Sequence, residues 1–198
     1  MQTRWGLLVT ACAACSGETD GVANGDANTT GGDGQMMMVD ARAGVGEPAD
    51  LMGITLYHNQ VRAAVVTSTP LPALEWDANL AATAAAWVAK CTDTMAPTGL
   101  IDHNAGRSQG HPWYVGENIF GAGGGATAQQ AVSSWASEKA NYNYDTNACN
   151  GVCGHYTQIV WRTSVKLGCA KGTCAGFAYP NSIVCNYGPG GNSGGKPY

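Results

Sequence analysis

The sequence predicts an α+β domain in which helices come first and strands last. Three observations carry that reading. Two stretches between residues 50 and 91, and a third at 127–139, repeat apolar residues at helical spacing. Runs of β-branched and aromatic residues gather after His155. Strands and helices do not alternate along the chain, so the order argues for layers rather than a doubly wound parallel sheet.

Asp50 is positioned to cap the first helix, in which Ile54, Tyr57, His58, Val61 and Val65 recur on one side. His58 falls on that apolar face, where a buried, hydrogen-bonded imidazole is commoner than a ligand. Leu71-Pro72 breaks the chain, and Asp77 then caps a second helix with Leu80, Ala84, Trp87, Val88 and Cys91 on one side. From 92 to 125 regular periodicity disappears. This glycine-broken loop carries Asp102-His103-Asn104, His111-Pro112-Trp113 and Gly116-Glu117-Asn118, and loops of this kind bring polar groups over a rigid scaffold. Thr127 or Ala128 starts a third helix with the stripe Val132, Trp135, Ala136 and Lys139. Glu138 lies at the edge of that stripe, where a partly buried carboxylate needs a partner. The run 156–162, bounded by Gly154 and Gly168, reads as a strand with His155 at its mouth and Cys153 and Cys169 beyond its two ends. Residues 171–173 form a turn, 177–179 and 183–187 two further short strands, and 189–198 a glycine- and proline-rich coil across the surface.

Charge divides the chain. Residues 1–49 hold six acids and two bases, whereas 50–198 hold eight of each. A neutral domain without a lysine or arginine cluster excludes nucleic acid as a partner. Residues 1–15 read as a leader: the short apolar run Trp5 to Val9 is followed by Ala11-Cys12. A small residue before a cysteine suggests a lipoprotein signal acylated at Cys12, an ordinary secretory signal being the alternative. The run is too short to span a bilayer. Residues 16–49, rich in Gly, Ala, Asp, Asn and Thr, form an acidic disordered tether. Three adjacent methionines at 36–38 cannot all face one ion, so they are not a metal site.

Of eight cysteines, six fall in the domain: Cys91, Cys149, Cys153, Cys169, Cys174 and Cys185. No CxxC pair recurs as a zinc ribbon requires, which favours three disulfides and export, with fifteen pairings open. No HExxH is present. The G-x-S-x-G match at 191–195 lies in terminal coil rather than between a strand and a helix, so it is not a nucleophile elbow.

One family unites these fragments. The run GHYTQIVWRTSVKLGCA at 154–170, with HNQVRA at 58–63, LEWDANLAATA at 74–84, GENIF at 116–120 and AVSSWASEKANYNYD at 131–145, resembles the CAP superfamily. That is the family of plant pathogenesis-related protein 1, sperm-coating proteins and venom antigen 5. The blocks follow the family's order over 50–198, and the closing CNYGPGGNSGGKPY is similar to the CNYxPxGNxxGxxPY tail of plant members. The resemblance implies a three-layer α-β-α sandwich with a small antiparallel sheet. It implies the pairs Cys91 with Cys174, Cys149 with Cys153, and Cys169 with Cys185. It also implies a cleft of two histidines and two glutamates, here His103, Glu117, Glu138 and His155, with His111 as the alternative to His103. His103 and His155 would hold Zn²⁺ or another divalent metal, with Glu117 or Glu138 as third ligand or catalytic base. Alternatively, the four form a purely electrostatic network.

Three functions follow from the resemblance. The first is an exported module, extracellular or at the cell surface, that binds a sterol or other lipid on an apolar groove and a divalent metal in the cleft. The second is a metal-assisted peptidase. The third is a defence or signalling protein acting through its surface or a released C-terminal peptide.

Overall fold

Asp77 does what its position predicts: its carboxylate accepts the backbone N–H groups of Asn79 and Leu80, both at 2.9 Å, and opens helix α2, Ala78–Val88. In the computed structural model, which describes residues 45–96 and 98–198, helices pack on both faces of a small four-stranded sheet. The leader, Cys12, the methionine triplet and the tether up to residue 44 lie outside the described residues.

Helix α1, Ile54–Ala63, begins differently from the expectation. Asp50 sits in a 3-10 turn, Ala49–Leu51, and the N-cap is Gly53 in the left-handed region at φ 86°. The carboxylate that satisfies the free donors comes from Glu47, which accepts Gly53 N–H at 2.7 Å and Thr55 N–H at 2.8 Å. Helix α3, Ala128–Ser137, opens on a capping box between Thr127 and Gln130. Lys139, expected on its buried stripe, is exposed beyond the helix end.

The sheet runs β1 (Glu75–Trp76), β5 (Lys166–Thr173), β6 (Asn181–Gly188), β2 (Gly116–Ala122). It is mixed rather than wholly antiparallel, because β1 pairs parallel to β5 while β6 pairs antiparallel to both neighbours. A separate two-stranded ribbon joins β3, Tyr142–Asn143, to β4, Ala148–Cys149. Three disulfides join Cys91 to Cys174, Cys149 to Cys153, and Cys169 to Cys185; the last links residues directly opposite each other on β5 and β6.

Alternation along β5 and β6 separates two cores. Leu167, Cys169, Ile183, Cys185 and Tyr187 pack with Ile54, Trp135, Tyr156 and Ile159. Ala170 and Val184 face Ala84 and Val88 of α2 with Ile101 and Ile119. Helix α2 thus covers one face while α1, α3 and a short helix α4, Gly154–Ile159, cover the other, giving the α-β-α sandwich. Gly168 is where α2 approaches closest: a Cβ there would lie 2.2 Å from Ala81 N and 2.5 Å from Asp77 O.

Two strand expectations fail, strands β1 to β5 are new, and residues 171–173, expected as a turn, lie within β5. Residues 156–162 are not a strand; helix α4, Gly154–Ile159, takes most of them. Its aromatic and β-branched residues remain buried, so propensity yields to packing and to a cap supplied from α3. Residues 177–179 belong to the turn between β5 and β6. Strand β2 emerges from the segment expected to be loop throughout.

Candidate functional site

Strand β2 carries Glu117 inward. Its side chain is fully buried, and Oε1 accepts His103 Nδ1–H at 2.8 Å and Asn104 N–H at 2.9 Å. A carboxylate can only accept, so Nδ1 of His103 carries the proton and Nε2 holds the free lone pair of the neutral ring. The second pair is built the same way. Glu138, at the C-terminal end of α3, accepts His155 Nδ1–H at 2.6 Å through Oε1. Its Oε2 accepts the backbone N–H groups of His155 at 3.0 Å and Tyr156 at 3.2 Å. Those are first-turn donors of α4, whose N-cap, Cys153, supplies no side-chain bond. One carboxylate therefore caps the helix and fixes the imidazole tautomer.

Both histidines line one cleft of about 440 Å³, together with Arg107, Tyr114, Asn118, Gln158 and Asn192. His103 is half-exposed and His155 about a quarter exposed. The His155 ring stacks on Trp135 at 6.1 Å and 18°. Arg107 spends its donors on Val115 O, Asn104 O and Tyr114 OH, which makes it a brace for the cleft rim. Gly116 leaves room for Gln158, whose Oε1 would lie 1.9 Å from a Cβ at that position. His111 sits elsewhere, its Nε2 at 3.0 Å from Thr83 Oγ1 on α2.

Below the cleft runs a buried hydrogen-bond chain that motif reading did not reveal. His58 Nδ1 lies 2.7 Å from Ile54 O, and its Nε2 lies 2.8 Å from Tyr187 OH. The carbonyl fixes the proton on Nδ1, so Tyr187 must donate to Nε2. Asn118 Nδ2 donates to Tyr187 OH and to His155 O, each at 3.0 Å. The His58 pKa is lowered to about 4, chiefly by burial, with the Ile54 bond opposing and the nearby Arg62 charge assisting, and burial raises that of Tyr187. Helical spacing did identify His58 as buried; its tie to residue 187 has no local signal.

The donor set suits a divalent cation held loosely. Two neutral imidazoles, each oriented by a carboxylate on Nδ1, match the usual support of metal-ligating histidine. Oε2 of Glu117 is buried without a hydrogen-bond partner, leaving a carboxylate lobe to be compensated. Among the described residues no group of three or more His, Cys, Asp and Glu side chains is gathered to hold a metal, so water would complete the coordination of a cation on the two rings.

A disulfide-bonded α-β-α domain with paired His–Glu side chains, supplied by the loop before β2 and by β2, α3 and α4, defines the class of the protein. The chain belongs to the CAP family: the model described as the cysteine-rich secretory protein family matches residues 56–187. It is 44% identical over 142 residues to pathogenesis-related protein 1 of Arabidopsis thaliana, covering 71% of this chain and 78% of the relative. Among solved structures, Schistosoma mansoni venom allergen-like protein 4 matches with a TM-score of 0.56 and 30% identity, over 74% of this chain and 91% of that one. NaASP2, solved with Zn²⁺, matches with a TM-score of 0.54 and 25% identity, over 73% of this chain and 82% of that one. The family is secretory by its description, and three disulfides agree with an oxidising compartment. No helix among the described residues is long and apolar enough to cross a membrane.

Proposed function

We propose that this protein is an exported binding module whose cleft takes a divalent cation through Nε2 of His103 and His155. The observation that carries the reading is the matched pair of Nδ1–carboxylate bonds, which turns both free imidazole nitrogens into preorganised ligands. The Zn²⁺ present with NaASP2 supports it. A bound cation would supply Lewis acidity; Glu117 and Glu138 orient the rings and offset its charge. Both carboxylates are engaged in that orientation, which favours binding over peptide hydrolysis. Calorimetric titration of the full chain with ZnCl₂ tests the proposal. One ion per chain is expected, abolished in H103A/H155A and retained in H111A. Undiminished binding by the double variant would overturn it.

A lipid-carrying role has its own support. A groove of about 500 Å³ outside the cleft is lined by Leu56, Ala63, Pro70, Leu71 and Ala73, a size typical of small-molecule sites and mostly apolar. Uptake of a labelled sterol or fatty acid should survive H103A/H155A and fall in A63E, and a reversed pattern would sink it. The name of the plant relative supports a defence context for either activity. Acylation at Cys12 would hold the domain at the cell surface, and loss of palmitate labelling in C12S is the corresponding test.

A further inference from the structure

Part of the cleft wall belongs to the C-terminal strap, and one strap side chain reaches the turn that carries His155. After β6 the chain doubles back over the cleft rim: Gly190 N–H donates to Tyr114 O at 2.6 Å and Gly191 N–H to Gln158 Oε1 at 2.9 Å. Asn192 follows in the left-handed region at φ 57°, a conformation asparagine tolerates. Its amide then forks. Nδ2 donates to Gly154 O at 2.8 Å, and Oδ1 accepts from Thr157 Oγ1 at 2.7 Å. A carbonyl can only accept, so the amide orientation is determined by its partners. These partners are the residue before His155 and the second residue after it. Both Gly191 and Asn192 line the cleft.

Three elements therefore hold the first turn of α4: Glu138 from α3, Asn118 from β2 and Asn192 from the strap. The short helix has no cap of its own. We propose that Asn192 is a positioning residue for His155, so that the seating of the C-terminal strap sets the affinity of the cleft for a divalent cation. The affinity part rests on the metal-binding reading above; the positioning part does not. The remainder of the strap is anchored separately, with Lys196 Nζ on Asp145 O at 3.0 Å and Asn147 Nδ2 on Gly195 O at 3.0 Å. The effect should therefore be specific to Asn192.

Asn192→Gly keeps the left-handed backbone and removes the fork. Asn192→Asp keeps the acceptor for Thr157 and places a carboxylate against Gly154 O. Lys196→Ala loosens the distant anchor as a control. Two readouts are taken on the full chain: Zn²⁺ affinity by calorimetry, and the Nδ1–H resonance of His155 by ¹⁵N NMR without metal, a signal preserved while Glu138 holds the proton. Affinity is expected to fall about tenfold in Asn192→Gly, in the range found for outer-shell partners of metal ligands. The fall in Asn192→Asp is smaller, Lys196→Ala matches the wild type, and the His155 signal broadens in Asn192→Gly alone or most strongly there. Unchanged affinity and an unchanged His155 signal in Asn192→Gly would overturn the assignment, as would an equal effect of Lys196→Ala. If the wild-type chain takes no Zn²⁺, the metal reading fails, and the metal-free His155 signal still decides whether Asn192 positions the ring.

Discussion

Between about pH 6.5 and 4, acid should weaken this fold through His58. His58 is fully buried and neutral, with an unfolded-state pKa of 6.5 and a folded-state value of about 4. Because the folded value is depressed, the unfolded chain takes up the proton first as pH falls. Stability from this group is therefore whole above about pH 6.5, declines between about 6.5 and 4, and has no further slope below that. A difference of about 2.5 units corresponds to roughly 3 kcal/mol, a large part of what a domain of this size has. Protonation also turns Nε2 into a donor facing Tyr187 OH, which already receives Asn118. The assay is urea unfolding of the full, oxidised chain across that pH window, beside His58→Gln. The variant should be less stable at neutral pH yet show a flatter pH profile, the two curves converging towards about pH 4. Parallel curves through the window would refute the argument, because the lost stability would then come from groups other than His58.

Two predictions concern the scaffold. Gly168→Ala should cost 1–3 kcal/mol or more, as its Cβ meets the α2 backbone at three atoms within 2.6 Å; chemical denaturation beside Gly124→Ala, which has nothing within 4 Å, checks it, and equal stability of the two would contradict the packing. Loop-closure entropy ranks the disulfides. Cys91–Cys174 spans 83 residues and Cys149–Cys153 only 4, so replacing each pair by serine should cost about 4.5 and about 2 kcal/mol respectively; thermal melts with the reverse ranking would show that native-state contacts dominate.

Helices α1 to α3 were legible in the sequence because their signals are local. Asp77 and Thr127 act within one turn and cap their helices as expected, whereas Asp50 does not cap α1 and Lys139 falls outside the buried stripe of α3. Residues 154–162 misled because β-branched and aromatic composition speaks to burial as much as to strand, and the deciding carboxylate lies in α3. Strand β2 was hidden by its glycines: Gly116 is needed for clearance from Gln158 and Gly121 lies against Leu100, so the residues that fit the strand into place are those that read as loop. The sheet's parallel edge was illegible too, since β1 has two residues and its partner lies 91 positions away. For the cleft, family resemblance supplied the four side chains, but nothing in their spacing reveals that they divide into His103–Glu117 and His155–Glu138.

That division bears on what the cleft can do. Had the four groups converged on one point, they would make a closed, tight metal site with no open position. Instead each glutamate grips the Nδ1 nitrogen of its own histidine. The rings are held from behind by rigid elements, β2 for one and the α3–α4 junction for the other, while their outer nitrogens remain for a ligand. A cation there would gain only two protein ligands and keep most of its water, so it should exchange readily and bridge to an incoming donor group. On the proposed metal reading, such a cation would capture a ligand through its open positions, and the placement of His155 would depend on the first turn of α4, where Glu138, Asn118 and Asn192 meet.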